Sequence, residues 1–246
     1  MIGLLLIATV LAKCDHSDFK TCTGTSAPSF NLIMLTQTWP GNFCSDNCCI
    51  TPTKKCGLNE GFTLHGFWPQ YDGTSYPSCC KRTYSDDEIE DMITSDDQLW
   101  TDIATYWPSM KKCNFVTYEW AKHGTCAENV YATPKEYMRA ALDLRKNHDM
   151  WAVFKANGVV ADGKTKYDVS WLRSLTKKEY GASGFFTCSS KNRVSELRVC
   201  FDVNSSNRMN PTAIECPQAL VNAGGCASSV YFDKFPKVNS CGPCTF

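Results

Sequence analysis

The chain has 246 residues, of which 16 are cysteine, and its 25 Lys and Arg residues are balanced by 25 Asp and Glu residues. So high a cysteine content is typical of an oxidising compartment, where thiols pair into disulfides, and it argues against a cytosolic enzyme. Because the charges balance, no bulk positive field attracts polyanions to the whole surface. A polyanionic ligand would therefore need a local site.

The first twelve residues, MIGLLLIATVLA, form an uncharged apolar run that a polar segment follows at once. A membrane-spanning helix needs roughly 20 apolar residues, so this run is too short. Val10 and Ala12 fit the small-residue preference of signal peptidase, which predicts a signal peptide over 1–12 and a mature domain over 13–246. The alternative, a buried N-terminal strand, is disfavoured by the cysteine content. We expect no stable membrane association, because no second long apolar segment follows.

Two short apolar runs bounded by turn formers predict buried strands at Phe30–Pro40 and Gly61–Pro69. Further along, apolar residues at helical spacing with acidic residues in the first turn predict one helix over Ser85–Tyr106. Pro108 marks the end of that helix.

A second helix is predicted from Pro134, with Thr133 as its cap, to about Asn157. Alternating polarity in RVSELRVCFDV, residues 193–203, predicts a late strand. Helices and strands mix without a βαβ rhythm, and no internal repeat or low-complexity linker divides the chain. The pattern favours one α+β domain.

Only four histidines occur, at His16, His65, His123 and His148. His65 lies in LHGFWP at the end of an apolar strand, and His123 lies in YEWAKHGTC. If residues 117–126 are helical, Glu119, Lys122 and His123 share one face of one turn. A carboxylate, an ammonium and an imidazole would then point to one place.

The simpler interpretation of this trio is a solvated charged helix face, and that of His65 is a core histidine bonded to backbone. Bulky neighbours such as Tyr118 and Trp120 favour a pocket instead. Reversible proton transfer needs one base and one acid with pKa values near the working pH, and two histidines can supply them.

The motifs LHGFWP and YEWAKHGTCA resemble, in order and separation, the two active-site motifs of the ribonuclease T2 family, the secreted acid endoribonucleases. The resemblance extends over most of the mature chain, through FNLIMLTQTWPGNFC, TDIATYWPSM, SELRVCFDV and IECP. It implies an α+β fold with a central antiparallel sheet flanked by helices.

By this resemblance His123 is the general base toward the ribose 2′-hydroxyl and His65 the general acid toward the departing 5′-oxygen. Glu119 and Lys122 would hold and polarise the phosphate, since a fixed ammonium in a site poor in water stabilises charge that builds on phosphorus oxygens. A 2′,3′-cyclic phosphate forms first and is then hydrolysed. The reaction needs no metal or other cofactor, and its need for a 2′-hydroxyl excludes DNA.

One position departs from the family pattern. Many members have a third histidine directly before the motif glutamate, where this chain has Tyr118. A tyrosine can donate a hydrogen bond to phosphate but adds no charge at acid pH. We expect an active enzyme that binds phosphate more weakly than relatives with that histidine.

The resemblance also implies residues that contact the bases of unpaired RNA. Such residues would stack on the base rings and form contacts with the base edges. They are three aromatic residues and one amide: Trp68, Tyr76, Phe115 and Gln37. For each of them a plain core role is the alternative. Gln70 stands where some relatives have an acid that selects adenine, so a strong adenine preference is not implied.

Cysteine pairing follows the family pattern only in part. It implies that Cys126 pairs with Cys79 or Cys80, and it implies two further pairs, Cys188 with Cys226 and Cys200 with Cys216. The adjacent pairs Cys48-Cys49 and Cys79-Cys80 should bridge outward, since a vicinal disulfide is strained. The remaining pairing cannot be derived from sequence.

Three other patterns in the sequence indicate less about function. The CGPC sequence at 241–244 lacks the following helix that redox chemistry would require, so disulfides that hold the tail are favoured. Zinc binding is disfavoured because the cysteine pairs lack matching partner pairs. Asn204 begins a glycosylation sequon in an expected loop.

The sequence thus predicts a monomeric endoribonuclease for single-stranded RNA, secreted or resident in a lysosome or vacuole. The alternatives are a catalytically weak ribonuclease-like toxin, storage or recognition protein, and a disulfide-rich binding module. The intact set of His65, Glu119, Lys122 and His123 argues against both.

Overall fold

A computed structural model describes residues 22, 24–46, 49, 58–110, 114–190 and 192–236. The predicted signal peptide over 1–12, His16 and the CGPC sequence lie outside these residues. Within the described part, helices pack on an antiparallel sheet, which confirms the α+β class. No helix in this part is both long enough and apolar enough to span a bilayer.

The elements in chain order are β1 (Leu32–Thr38), α1 (Pro40–Asp46), β2 (Thr63–Gln70), α2 (Asp86–Thr94), α3 (Asp97–Tyr106), α4 (Phe115–Lys122), α5 (Pro134–Asn147), α6 (Met150–Ala156), β3 (Tyr167–Asp168), α7 (Val169–Tyr180), β4 (Phe185–Ser190), β5 (Arg193–Asp202), β6 (Thr212–Ile214), α8 (Gln218–Ala223) and β7 (Ser229–Val230). A short 3-10 helix, Gly124–Ala127, follows α4. The three strands predicted from sequence correspond to β1, β2 and β5.

The main sheet has the order β2-β1-β5-β4, and β6 pairs with β5. All the pairings in this sheet are antiparallel. Every residue of β1 is buried, with Ile33 and Leu35 in one core cluster and Leu32 and Met34 in another. A strand covered on both faces has no solvent side, which explains the apolar run at 32–35 and the burial of the polar residues at 36–38.

Two of the predicted helices are each divided in the structure, so the predictions of single helices over Ser85–Tyr106 and from Pro134 to Asn157 were wrong. Asp96 accepts a hydrogen bond from the Leu99 N–H and starts α3. Asp149 accepts bonds from the N–H groups of Trp151 and Ala152 and starts α6. Each Asp satisfies backbone donors that a continuous helix would have bonded internally, and so favours a new helix start.

Disulfides close the described part of the chain at five places. The expected bridges Cys80–Cys126, Cys188–Cys226 and Cys200–Cys216 are present. Two further bridges are Cys22–Cys79 and Cys44–Cys49, so the adjacent cysteines 79 and 80 do bridge outward.

Candidate active site

A β-bulge aims the first motif histidine. The pairing of β2 with β1 passes over His65, because successive β1 residues pair with Gly66 and then with Leu64. An extra residue of this kind shifts the alternation of side chains along the strand. His65 and Trp68, three residues apart, therefore line the same cavity, while Leu64 and Phe67 point into the core.

Backbone contacts hold this strand in place. The Trp107 indole Nε1 donates to the carbonyl oxygen of His65 at 3.0 Å. The Tyr137 hydroxyl donates to the carbonyl oxygen of Phe67 at 2.5 Å. Both donor side chains are fully buried. The β2 segment that carries His65 is thus fixed on both sides of the histidine.

Helix α4 supplies the second motif. Its residues Phe115, Tyr118, Glu119 and Lys122 follow the i, i+3, i+4, i+7 spacing of one helix face. The opposite side of α4 packs into the core through residues such as Trp120. Helix α4 therefore turns one face toward the site and buries the other face in the core.

The second histidine lies just beyond α4. The predicted helix over 117–126 ends at Lys122, and His123 takes a non-helical conformation before the 3-10 helix. Its backbone N–H still donates to the Glu119 carbonyl at 2.9 Å. Lys122 and His123 consequently line the same cavity as Glu119, as the spacing predicted.

The loop after β2 is joined to the end of α4 by two contacts. One is the Cys80–Cys126 disulfide. The other is a hydrogen bond of 2.7 Å from the Cys79 N–H to the Lys122 carbonyl. This loop also carries Tyr76, whose exposed ring lies 5.6 Å from the His123 ring. The second motif is therefore held against the segment that follows the first.

All four predicted catalytic residues line one cavity of about 350 Å³. The nearest oxygen of Glu119 lies 3.8 Å from Nε2 of His65. The other oxygen of Glu119 accepts a hydrogen bond of 2.7 Å from Trp68 Nε1. Trp68 is half-buried, and its ring lies 4.9 Å from those of both His65 and His123. It thus occupies the position between the two histidines.

His65 is held in a setting that favours its charged form. Burial lowers the pKa of His65, but the hydrogen bond to Glu196 and the negative charges of Glu119 and Glu196 outweigh burial and raise it. The carboxylate of Glu196 accepts from His65 Nδ1 at 2.5 Å. Burial would raise the pKa of Glu196 in turn, yet the bond to His65 and its charge, with Arg198, lower it to about 2.

His123 is held in the opposite setting. Burial, together with the positive charges of Lys122 and His65, lowers the pKa of His123 to about 3. Its Nδ1 is buried and bonds to none of the described residues. Burial also raises the pKa of Glu119, against the opposing effects of His65, Trp68 and Lys122. The site therefore pairs an imidazole whose pKa is lowered with one whose pKa is raised.

His65 also lines a second cavity, of about 230 Å³. Its lining is mostly apolar and includes Phe43, Met110 and Phe115. The Phe115 ring lies 5.4 Å from the ring of His65. His65 is therefore shared by two cavities, each of which could accept the ring of a base.

The predicted base-contacting residues divide between these places. Trp68 and Tyr76 line the first cavity with Tyr118, and Gln70 also borders it. Phe115 lines the second cavity. Gln37 is fully buried, and its amide donates to the Tyr180 hydroxyl at 3.4 Å. The structure thus places Gln37 in the core, in neither cavity.

Sequence reasoning missed two residues of this site. Glu196 and Arg198 lie on β5, far from both histidine motifs in sequence. Arg198 lines the first cavity and its guanidinium lies 5.3 Å from the centre of the Trp68 ring. Their side chains alternate with core residues of the strand, a signal that marks one exposed face but not its purpose. Among the described residues, no group of three or more His, Cys, Asp or Glu could hold a metal ion.

Residues 30–216 match the model of the Ribonuclease T2 family, three quarters of the chain. The chain belongs to the ribonuclease T2 family. Extracellular ribonuclease LE of Solanum lycopersicum is 30% identical to it over 241 residues, which are 95% of this chain and 97% of that protein. This T2 protein is an RNA-cleaving endoribonuclease, as its motifs predicted.

Solved structures of the T2 family share the fold. An RNase-related protein from Calystegia sepium superposes with a TM-score of 0.67 at 27% identity, over 86% of this chain and 100% of that one. RNase NT, solved in complex with 5′-AMP, superposes with a TM-score of 0.65 at 25% identity, over 84% of this chain and 99% of that one.

Proposed function

We propose that this T2 ribonuclease acts as a monomer on single-stranded RNA in an extracellular or lysosomal or vacuolar compartment, with His123 as general base and His65 as general acid. The observation that supports the roles is the contrast between the two imidazoles in one cavity. Where two titratable groups are pushed to opposite protonation states, the environment assigns the base and the acid.

His123 is suited to accept the proton of the ribose 2′-hydroxyl. Its lowered pKa keeps the imidazole neutral over the acid range, so a lone pair is available where an exposed histidine would be protonated. The freed 2′-oxygen attacks phosphorus and forms the 2′,3′-cyclic phosphate. A DNA strand has no such hydroxyl and cannot react in this way.

His65 is suited to protonate the departing 5′-oxygen. Its raised pKa favours the protonated ring, and Nε2 is the nitrogen available to the substrate because Nδ1 bonds to Glu196. In the second step the roles reverse: His65 takes a proton from water, and His123 returns one to the 2′-oxygen.

Glu119 and Lys122 would hold the phosphate between the histidines. The Lys122 ammonium stabilises the charge that develops on the non-bridging oxygens. The hydrogen bond from Trp68 Nε1 holds the Glu119 carboxyl group in place, and burial raises its pKa. No metal ion is needed in this scheme.

The two cavities would receive the nucleotides on either side of the scissile bond. Tyr76, whose side chain is 47% exposed, offers an aromatic ring at the first cavity, and Phe115 offers one at the second. Stacking on aromatic rings tolerates any base, so these contacts favour unpaired RNA without fixing a sequence. Trp68 contacts the rings of both histidines, so we assign it to positioning them rather than to stacking on a base.

Two features support the proposed compartment, the apolar run at residues 1–12 and the disulfides. Ten cysteines of the described residues are paired, a state that persists in oxidising compartments. Asn204 lies in an exposed turn, where its side-chain oxygen accepts from the N–H groups of Ser206 and Asn207. An exposed segment of this kind is accessible to the glycosylation machinery, so we propose Asn204 as a site of N-glycosylation.

The roles can be tested with three single variants, His65→Ala, His123→Ala and His148→Ala. His148 is the control, because it pairs with Glu179 at 3.0 Å outside the cavity. Loss of either site histidine should lower the rate of cleavage of single-stranded RNA by roughly 100-fold or more, while His148→Ala keeps it. A wild-type protein as slow as the site variants would instead support a catalytically weak ribonuclease-like protein.

A further inference from the structure

The side chain of Glu196 connects His65 to a second strand of the sheet. One carboxylate oxygen lies 2.5 Å from His65 Nδ1. The other accepts from Arg198 at 2.6 and 3.0 Å and from the Thr187 hydroxyl at 3.2 Å. Glu196 is only 8% exposed, and its partners other than His65 come from β5 and β4. The carboxylate is therefore fixed before any substrate binds.

We propose that Glu196 is a positioning residue for His65, which fixes the proton of Nδ1 and so keeps Nε2 as the nitrogen that exchanges a proton with the substrate. The inference rests on the proposed role of His65 as general acid. Glu196 itself neither gains nor loses a proton in the reaction. It contacts the reacting atoms only through the imidazole.

The proton count supports this arrangement. Before the step both ring nitrogens of His65 carry hydrogen, and Nδ1–H donates to Glu196. Nε2 then gives its proton to the 5′-oxygen as the P–O bond breaks, and the ring becomes neutral with hydrogen on Nδ1. That tautomer leaves a lone pair on Nε2, which is what the hydrolysis step requires of the same nitrogen.

The charged groups that face His65 come from two directions. Glu119 lies 3.8 Å from Nε2 on the α4 side, with Lys122 and His123 lining the same cavity. On the β5 side are Glu196 and Arg198. Both carboxylates favour the imidazolium and the cations oppose it. Of the two, only Glu196 makes a hydrogen bond to the ring, so it alone can fix its orientation.

Arg198 secures the other end of this chain of contacts. Its guanidinium bonds the Glu196 carboxylate through Nε and Nη2 and lies over the ring of Trp68 at 5.3 Å. A forked guanidinium holds a carboxylate oxygen in a fixed direction better than a single ammonium does. Glu196 is therefore prevented from turning away from His65 when the imidazole loses its charge.

The test compares Glu196→Gln with Glu179→Gln. The glutamine at position 196 keeps an oxygen that can accept from Nδ1–H but removes the charge. The Glu179 variant makes the same change in a His–Glu pair outside the cavity, where Glu179 accepts from His148 at 3.0 Å. Circular dichroism melting of both variants checks that the fold is retained.

We expect Glu196→Gln to lower kcat on single-stranded RNA by roughly 10- to 100-fold, the range seen when outer partners of functional histidines are lost, with little change in KM. The alkaline limb of the pH–kcat/KM profile should move to lower pH, because the pKa of His65 falls without the carboxylate. Glu179→Gln should leave both unchanged. An alkaline limb that stays in place in Glu196→Gln would overturn the inference.

A second substrate separates this role from a merely structural one. A nucleoside 3′-(4-nitrophenyl phosphate) has a leaving group that departs without protonation, so the defect of Glu196→Gln should shrink towards wild-type rates. An equal defect on both substrates would contradict a role through His65. If His65→Ala still cleaved RNA at wild-type rates, the proposed function itself would fail, whatever Glu196→Gln did.

Discussion

The indole of Trp68 stacks on the imidazole of His123, with ring centres 4.9 Å apart and an angle of 29° between the planes. The same indole donates from Nε1 to Glu119 at 2.7 Å. Trp68 thus sets the position of the proposed general base and of a proposed phosphate-binding residue together. A hydrogen bond to a charged group contributes roughly 1.5–3 kcal/mol.

Trp68→Phe keeps an aromatic ring beside His123 but removes the donor to Glu119. We expect kcat/KM on single-stranded RNA to fall by about 10-fold or more, since 1.4 kcal/mol corresponds to a factor of ten. Trp171→Phe is the matched control, because Trp171 is 37% exposed on α7, outside both cavities. Equal activity of the two variants would show that the Nε1 contact has no part in the reaction.

A plot of kcat/KM against pH should show a plateau that includes the acidic range and a decrease on each side of it. On the acid side activity falls as His123 takes a proton near its pKa of about 3. On the alkaline side it falls as His65 loses its proton, above its ordinary value of 6.5. Initial rates from pH 2.5 upward would measure both limbs. A maximum at neutral pH with steep loss below pH 6 would contradict the assignment.

The pKa shifts of the two histidines also determine how the free energy of unfolding changes with pH. The pKa of His123 is depressed in the fold, so its contribution is present above 6.5 and is lost as pH falls towards about 3. The pKa of His65 is raised, so its contribution is present below 6.5 and is lost as pH rises through the raised value. The two histidines therefore have opposite effects on the pH dependence of the free energy of unfolding.

Gly66 is required by the contact between Trp68 and Glu119. A Cβ atom at Gly66 would lie 2.0 Å from Trp68 Nε1 and 2.3 Å from the Glu119 oxygen, so Gly66→Ala must push both groups away. Misplacement by about 1 Å can cost 100-fold in rate, and we expect a loss of that order in kcat. Gly158→Ala should leave kcat unchanged, since it meets no atom within 4 Å and costs only about 1–2 kcal/mol of stability at its φ of +83°. Comparable activities of the two variants would refute the packing argument.

Substitutions of Tyr118 test whether the departure from the family motif weakens phosphate binding. Its side chain lines the first cavity, where the Lys122 ammonium lies 5.6 Å from the centre of its ring. Tyr118→His adds a cation at pH 5 and should lower the KM for RNA by about fivefold, because a charged hydrogen bond is worth about 1 kcal/mol more than a neutral one. Tyr118→Phe, which removes the donor, should raise KM. An unchanged or raised KM in Tyr118→His would contradict this explanation of the motif.

The convergence of Glu119, Lys122 and His123 could be predicted because it depends on local helix geometry, which spacing along the chain determines. The convergence of His65 with them rested on the resemblance of motifs. The bulge that aims His65 could not be predicted, since it arises from the pairing of β2 with β1 and leaves no mark in LHGFWP.

Other features depend on distant partners. Glu196 lies 131 residues from His65, and an acidic residue on an alternating strand reads as solvent-facing until the neighbouring strand is known. The contact of Gln37 could not be predicted for the same reason: a strand that is buried on both faces gave no sign that Gln37 packs toward Tyr180. The helix breaks at Asp96 and Asp149 did carry a local signal, the capping carboxylate, which apolar periodicity obscured.

The products of RNA cleavage test the central claim most directly. Purified protein would be incubated near pH 5 with EDTA and a single-stranded oligonucleotide that contains one ribonucleotide among 2′-deoxynucleotides, beside His123→Ala. The account predicts one cut, 3′ of the ribonucleotide, which leaves a 2′,3′-cyclic phosphate that is later hydrolysed, and no cut by the variant. Cleavage at deoxynucleotides, or an absence of cyclic phosphate ends in the wild type, would contradict it.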